Sequence, residues 1–131
     1  MQLQQLLKIM NTKKIYYLKN CDTSRKVIRQ ANLSDEFEFI DIKENPLTPE
    51  EVDHLAILAG SYEALFSRRS REYHRRDLKN QYLNEKDYRD LILEHYSFLK
   101  RPVVVIDDQI FIGGNENEIN RLIYYREQNQ E

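Results

Sequence analysis

The chain has 131 residues, one cysteine and a formal net charge of −2. This length predicts one domain with its own core, and a single cysteine excludes an intramolecular disulfide. No apolar run approaches the roughly 20 residues that span a bilayer, and the slight negative charge predicts no general attraction to nucleic acid. A lone thiol is typical of a reducing compartment, so we expect a cytoplasmic protein that binds neither membranes nor nucleic acid directly.

Both ends of the chain differ from its middle. Residues 1–12 are too polar for a secretory signal and predict a short extension that frays, with Met10 as an alternative start to Met1. We expect residues 13–126 to form a single domain and residues 127–131 to fray as a tail.

The first elements predict a strand–helix–strand unit. A β-prone, mostly apolar strand is predicted over 13–18 and a helix over 24–31. The apolar stripe of that helix consists of Val27, Ile28 and Ala31. Acidic and apolar residues then alternate over 36–42, which is typical of a strand with one buried face. A right-handed crossover between the two strands makes them parallel.

Residues 48–60 carry the signals of a capped helix. Thr48 is an N-cap, Pro49 suits the first helical position, and Glu51 completes a capping box. Gly60 is placed to end the helix. We expect its buried face to comprise Val52, Leu55, Ala56, Leu58 and Ala59. A short second helix is indicated near 62–66.

A basic segment follows, with six basic and two acidic side chains over 68–79. Two interpretations of it stay open: a surface loop, or a helical turn anchored by Tyr73 and Leu78. The next helix is predicted over 85–96, and two asparagines are candidate caps for it, Asn80 and Asn84.

The last third predicts a hairpin and a helix. A buried strand opened by a proline is expected over 101–106, and an edge strand over 110–112. Two glycines at 113–114 predict a sharp turn, after which Asn115 caps the final helix with Glu118 three residues on. The order of elements predicts an α/β, thioredoxin-like fold: a four-stranded mixed sheet flanked by helices, with a helical insertion between strands 2 and 3.

Cys21 lies at the predicted junction of the first strand and helix. The backbone N–H groups of Thr23, Ser24 and Arg25 and the positive end of the helix dipole converge there. Such surroundings lower a thiol pKa and also bind anions. Two simpler interpretations stay open, an inert buried cysteine and ordinary capping by Thr23 or Ser24.

Four stretches carry a resemblance to a known family, from about residue 13 to 124. They are 20–25, 65–70, 100–105 and 113–119. Together they resemble the arsenate reductase-like family of thioredoxin-fold proteins, which also contains the Spx transcriptional regulators and the YffB-type proteins.

The resemblance implies roles for several residues. It makes Cys21 the nucleophile, with Arg101 before a cis-Pro102 and Arg68 near a second arginine position as anion ligands. A tyrosine, Tyr17, stands where the arsenate reductases have a histidine, and Gly113 stands near their third arginine.

The resemblance also implies partners. With one cysteine, and Ser24 in place of the second cysteine of the Spx switch, the resolving thiol must be external. Glutathione or another low-molecular-weight thiol would be the co-substrate, a small oxyanion or thiol the substrate, and glutaredoxin or thioredoxin a partner. No cofactor is expected, and no metal, because the three histidines lack ligand spacing with one another or with Cys21.

An alternative of another class is an Spx-like, non-catalytic adaptor. It would bind a protein such as RNA polymerase through the helix ending at Gly60 and the basic segment. A third interpretation is a family member that has lost its chemistry.

Overall fold

The computed structural model describes residues 2–3 and 11–129. The strands are β1 (Lys13–Tyr17), β2 (Glu38–Asp41), β3 (Val103–Ile106) and β4 (Gln109–Ile112). The helices are α1 (Asp22–Gln30), α2 (Pro49–Ala59), α3 (Arg71–Arg75), α4 (Glu85–Glu94) and α5 (Glu116–Gln128). Short 3₁₀ turns cover Glu63–Leu65, Leu78–Asn80 and Tyr96–Phe98. Most of the predicted N-terminal extension, and residues 130–131 of the tail, lie outside the described residues.

The four strands form one mixed sheet in the order β2-β1-β3-β4. Strand β1 pairs parallel to β2 and antiparallel to β3, and β4 pairs antiparallel to β3. Ile15 faces Phe39 on one side and Val104 on the other. The thioredoxin-like prediction is confirmed, with α2, α3 and α4 as the helical insertion. Among the described residues, no helix is long and apolar enough to cross a membrane.

The chain divides into two compact units, here called unit 1 and unit 2. Unit 1 runs to Asp41 and resumes at Arg101, and unit 2 is Ile42–Lys100. In unit 1, side chains of α1 and α5 pack with residues of the sheet. This core comprises Ile15, Val27, Ala31, Leu33, Phe37, Val104, Ile106, Phe111, Ile119 and Leu122. Each large side chain buried there contributes about 1.5–3 kcal/mol.

Strand β2 departs from the predicted pattern. It is shorter than 36–42, and Phe39 is 39% exposed whereas Asp41 is only 7% exposed. Phe39 packs edge-on against Tyr17, with ring centroids 5.7 Å apart. The Asp41 carboxylate accepts a hydrogen bond from the Lys19 N–H at 3.4 Å. The alternation of acid and apolar residues therefore does not map onto one buried face.

Unit 2 shows the caps that the sequence predicts. The Thr48 hydroxyl accepts from the Glu51 N–H at 3.1 Å, and the Glu51 carboxylate accepts from the Thr48 N–H at 3.0 Å. Gly60 ends α2 in the left-handed region, with φ +95°. Asn84, rather than Asn80, caps α4.

The basic segment adopts the second of its two predicted conformations. Its short helix α3 is anchored by buried Tyr73, and the following 3₁₀ turn by buried Leu78. Phe66 stacks on Phe98 at 5.4 Å and contacts the Tyr73 ring edge-on at 5.9 Å. Helix α4 ends at Glu94, short of the predicted residue 96, because His95 is extended.

Candidate functional site

Cys21 is the N-cap residue of α1. The helix begins at Asp22, two residues earlier than predicted, so the thiol stands where a capping oxygen would be. The Cys21 N–H donates to the Leu18 carbonyl at 3.2 Å, and its carbonyl accepts from the Arg25 N–H at 3.0 Å. The residue is half-buried. The side chain of this partly buried residue therefore lies at the positive end of a helix.

The pKa of the Cys21 thiol is lower than that of an ordinary cysteine. Partial burial raises this pKa. Hydrogen bonding by the Ser24 hydroxyl and N–H, together with the hydrogen bond and charge of Arg101, lowers it by more than burial raises it. A larger fraction of the thiol is thus ionised near neutral pH, and the thiolate is the nucleophilic form. Cys21 is thus only partly buried, unlike the buried cysteine of the simpler interpretation, and its role as a nucleophile remains a prediction.

Ser24 contributes to the site through two groups. The residue is 0% exposed, and its hydroxyl has no conventional hydrogen-bond partner among the described residues. A buried hydroxyl without a partner is costly. Its hydrogen bond to the sulfur lowers the thiol pKa, although burial of the thiol acts in the opposite direction. The hydroxyl therefore acts on the site by favouring the ionised form of the Cys21 thiol, and no other partner for it is found among the described residues.

Arg101 approaches the sulfur from the segment that leads into β3. The Arg101–Pro102 peptide bond is cis, as the sequence predicts. The carbonyl of Pro102 accepts a hydrogen bond from the Gly113 N–H at 2.8 Å. The structure thus brings Cys21, Ser24 and Arg101 together.

Two other predicted residues of the loop point elsewhere. The Arg25 guanidinium pairs with Asp22 and donates to the Lys19 carbonyl at 3.3 Å, so it is not among the groups that lower the Cys21 pKa. The Thr23 side chain lies against Gly114. The proposed anion contacts of Thr23 and Arg25 remain predictions.

Arg68 belongs to unit 2, where its guanidinium is already engaged. It donates to the Glu63 carboxylate at 2.7 Å and to the Tyr88 hydroxyl at 2.9 Å, and it lies 5.6 Å from the centre of the Tyr88 ring. A role for Arg68 in anion binding also remains a prediction. No cluster of three or more histidine, cysteine, aspartate or glutamate residues that could hold a metal ion occurs in the described ranges.

Sequence reasoning missed two supports of the site. One is Asp41, which fixes the Lys19 N–H in the loop before Cys21. The other is Gly114, which packs against the first turn of α1. A signal for Asp41 was present, since an acid between Ile40 and Ile42 interrupts the apolar end of a strand. The contact of Gly114 joins distant parts of the chain and leaves no local pattern.

Comparison with protein families gives one match over most of the chain. The model described as the ArsC family matches residues 16–122. Among curated proteins, the global transcriptional regulator Spx of Streptococcus pyogenes serotype M1 is 30% identical over 96 residues, which covers 71% of this chain and 72% of that protein. The Spx protein of Bacillus subtilis strain 168 is 26% identical over 113 residues, covering 83% and 85%.

Solved structures share the fold. An ArsC family related protein from Bacteroides fragilis matches with a TM-score of 0.70 and 20% identity, covering 85% of this chain and 97% of that chain. The arsenate reductase from Vibrio cholerae matches with a TM-score of 0.69 and 20% identity, covering 86% and 96%. At this identity, the likeness concerns the fold alone.

Proposed function

Because this chain belongs to the ArsC family, we propose that it is a thiol-dependent oxidoreductase with Cys21 as the nucleophile. The observation that carries the proposal is the lowered pKa of Cys21, whose partial burial is outweighed by Ser24 and Arg101. A thiolate at a helix N-terminus attacks disulfides and other electrophiles faster than a thiol does. The Ser24 N–H and Arg101 also favour negative charge that develops on an incoming group.

The reaction that these groups support is thiol–disulfide exchange with an external thiol. The Cys21 thiolate attacks the glutathione sulfur of a mixed disulfide; the substrate leaves as a thiolate, and Cys21 becomes glutathionylated. A second glutathione thiolate attacks the glutathione sulfur on Cys21, which releases glutathione disulfide and regenerates the Cys21 thiolate. Overall, one glutathione thiol is consumed for each substrate thiol released, and the disulfide bond passes from the substrate to glutathione disulfide. Both steps are intermolecular because the chain has one cysteine.

We propose glutathione mixed disulfides, which release a thiol, as better substrates for this protein than arsenate. The resemblance assigns a histidine and a third arginine to the arsenate reductases, and this chain has Tyr17 and Gly113 there. Arg101 and the first turn of α1 supply positive charge for a carboxylate or an oxyanion alike. A small oxyanion therefore remains the second substrate class.

Mass spectrometry after exposure to glutathione disulfide tests this proposal. We expect one glutathione adduct on Cys21 and none on the Cys21→Ser variant. We also expect no arsenite to form from arsenate in the presence of glutathione and glutaredoxin. The rate of alkylation against pH provides the independent measurement, and a midpoint at or above that of free cysteine would remove the mechanism.

The second candidate is a regulatory adaptor. The curated relatives are named global transcriptional regulators, and unit 2 has an exposed cationic surface. Arg69, Arg71 and Lys79 are exposed and form no ion pair within the described part of the chain. These cations favour an acidic surface of a protein partner such as RNA polymerase.

Binding to purified RNA polymerase distinguishes the two candidates. The adaptor predicts binding that Cys21→Ser retains and that the double variant Arg69→Glu/Arg71→Glu loses. No binding by the unmodified protein excludes the adaptor. Loss of glutathione exchange in Cys21→Ser, with no polymerase binding by any variant, supports the enzyme.

A further inference from the structure

We infer that the Gly113–Gly114 turn is a positioning element that sets the reactivity of Cys21, a role that rests on the proposed thiol function. The turn lies between β4 and α5 and contains none of the groups that contact the sulfur. It contacts both segments that carry those groups. A change in the turn should therefore act on Cys21 through its neighbours.

Gly113 is hydrogen-bonded to the segment that contains Arg101. Its N–H donates to the carbonyl of Pro102 at 2.8 Å, and Pro102 directly follows Arg101. Gly113 has φ +82°, a left-handed conformation that a residue with a Cβ adopts only with strain. The hydrogen bond and the backbone conformation together fix the distance between the turn and the Arg101 segment.

Gly114 packs against the first turn of α1. A Cβ at this position would overlap with the Cγ2 methyl of Thr23 and lie 3.2 Å from Cγ2 of Val27. Glycine therefore allows the turn to lie directly on the helix that positions Ser24. A larger residue must displace the Thr23 side chain, the turn or the start of α1.

The turn is itself anchored on its far side. The Asn115 side chain accepts from the Glu118 N–H at 2.8 Å and caps α5. The Glu118 carboxylate accepts from the Ile112 N–H at 2.8 Å and pairs with Arg121. Because both flanks are fixed, strain introduced at Gly114 is transmitted to Thr23 and hence to Ser24.

The test is the alkylation rate of Cys21 in Gly114→Ala. Displacement of Ser24 from the sulfur should lower the rate at pH 7 about tenfold, because less of the thiol is ionised. In a Thr23→Ser background the methyl that the new Cβ meets is absent. The same Gly114→Ala change should then lower the rate less than about twofold, which is the sign of direct coupling.

Gly60→Ala is the matched control. Gly60 also has a positive φ, at +95°, but a Cβ there meets nothing within 4 Å. We expect this variant to lose stability without any change in the alkylation rate. General destabilisation is thereby separated from displacement of the site.

The possible results separate failure of the proposed thiol function from failure of the proposed role of the Gly113–Gly114 turn. A wild-type pKa that is not lowered overturns the proposed function, whatever the variants do. A lowered wild-type pKa with an unchanged rate in folded Gly114→Ala overturns the present inference alone. If Gly114→Ala does not fold, Glu118→Ala removes the anchor beside the turn; a reduced rate in that folded variant supports the inference, and an unchanged rate overturns it.

Discussion

Substitution of Ser24 should lower the reactivity of Cys21 without lowering the stability of the protein. Within the described part of the chain its buried hydroxyl has no partner besides the Cys21 thiol whose pKa it lowers, so Ser24→Ala removes a costly polar group while keeping the backbone N–H. We expect unchanged or slightly higher stability to urea. The alkylation rate of Cys21 at pH 7 should fall about threefold to tenfold, because one hydrogen bond to the thiolate is lost.

Ser34→Ala is the control for this change. Ser34 is an exposed serine of unit 1 that donates to Glu36 at 2.9 Å. Its removal should leave the alkylation rate unaltered. A stability loss above about 1 kcal/mol in Ser24→Ala would show that the hydroxyl is bonded elsewhere in solution, contrary to the site described above.

Helix α2 shows how much one element depends on its cap. Thr48→Ala removes one half of a reciprocal capping box and should lower the free energy of unfolding by about 1 kcal/mol. Thr48→Ser retains the hydroxyl and should recover most of that loss. Urea unfolding followed by circular dichroism measures both. Equal stability of the two variants would mean that the cap contributes nothing.

Local signals explain why most elements were predictable. The caps Thr48, Asn84 and Asn115 act within four residues of sequence. Thr48 and Asn115 start the helices that they were expected to start, and Asn84 is one of the two candidates predicted for α4. The start of α1 was misplaced because cysteine is not a typical capping residue. Cys21 nevertheless occupies the N-cap position, because the helix begins two residues earlier than predicted. The earlier start places the thiol at the N-terminus of α1.

Contacts between distant parts of the chain explain the rest. The buried Asp41 carboxylate accepts a hydrogen bond from a backbone N–H of the loop before Cys21, 22 residues away in sequence. The fit of Gly114 against Thr23 depends on how β4 and α1 meet. Neither is encoded in a periodic pattern, so Cys21 and Arg101 were predictable while the supports around them were not.

At the scale of the whole molecule, the two candidate functions belong to different units. Cys21, Ser24 and Arg101 are in unit 1, whereas the exposed cations Arg69 and Arg71 are in unit 2. Substitutions that test the thiol and those that test the cationic surface therefore fall in different units.

Ionisation of Cys21 should also appear in the global stability. Although partial burial raises the pKa of Cys21, Ser24 and Arg101 lower it below its unfolded value. Between the two pKa values the unfolded chain binds more protons, so this contribution to stability rises with pH and is complete above the unfolded pKa. The urea midpoint of the wild type should therefore rise relative to Cys21→Ser as the pH increases toward the unfolded thiol pKa of about 8.5. Alkylated protein should lose this pH dependence, and a difference that falls with rising pH would mean that the folded structure favours the neutral thiol.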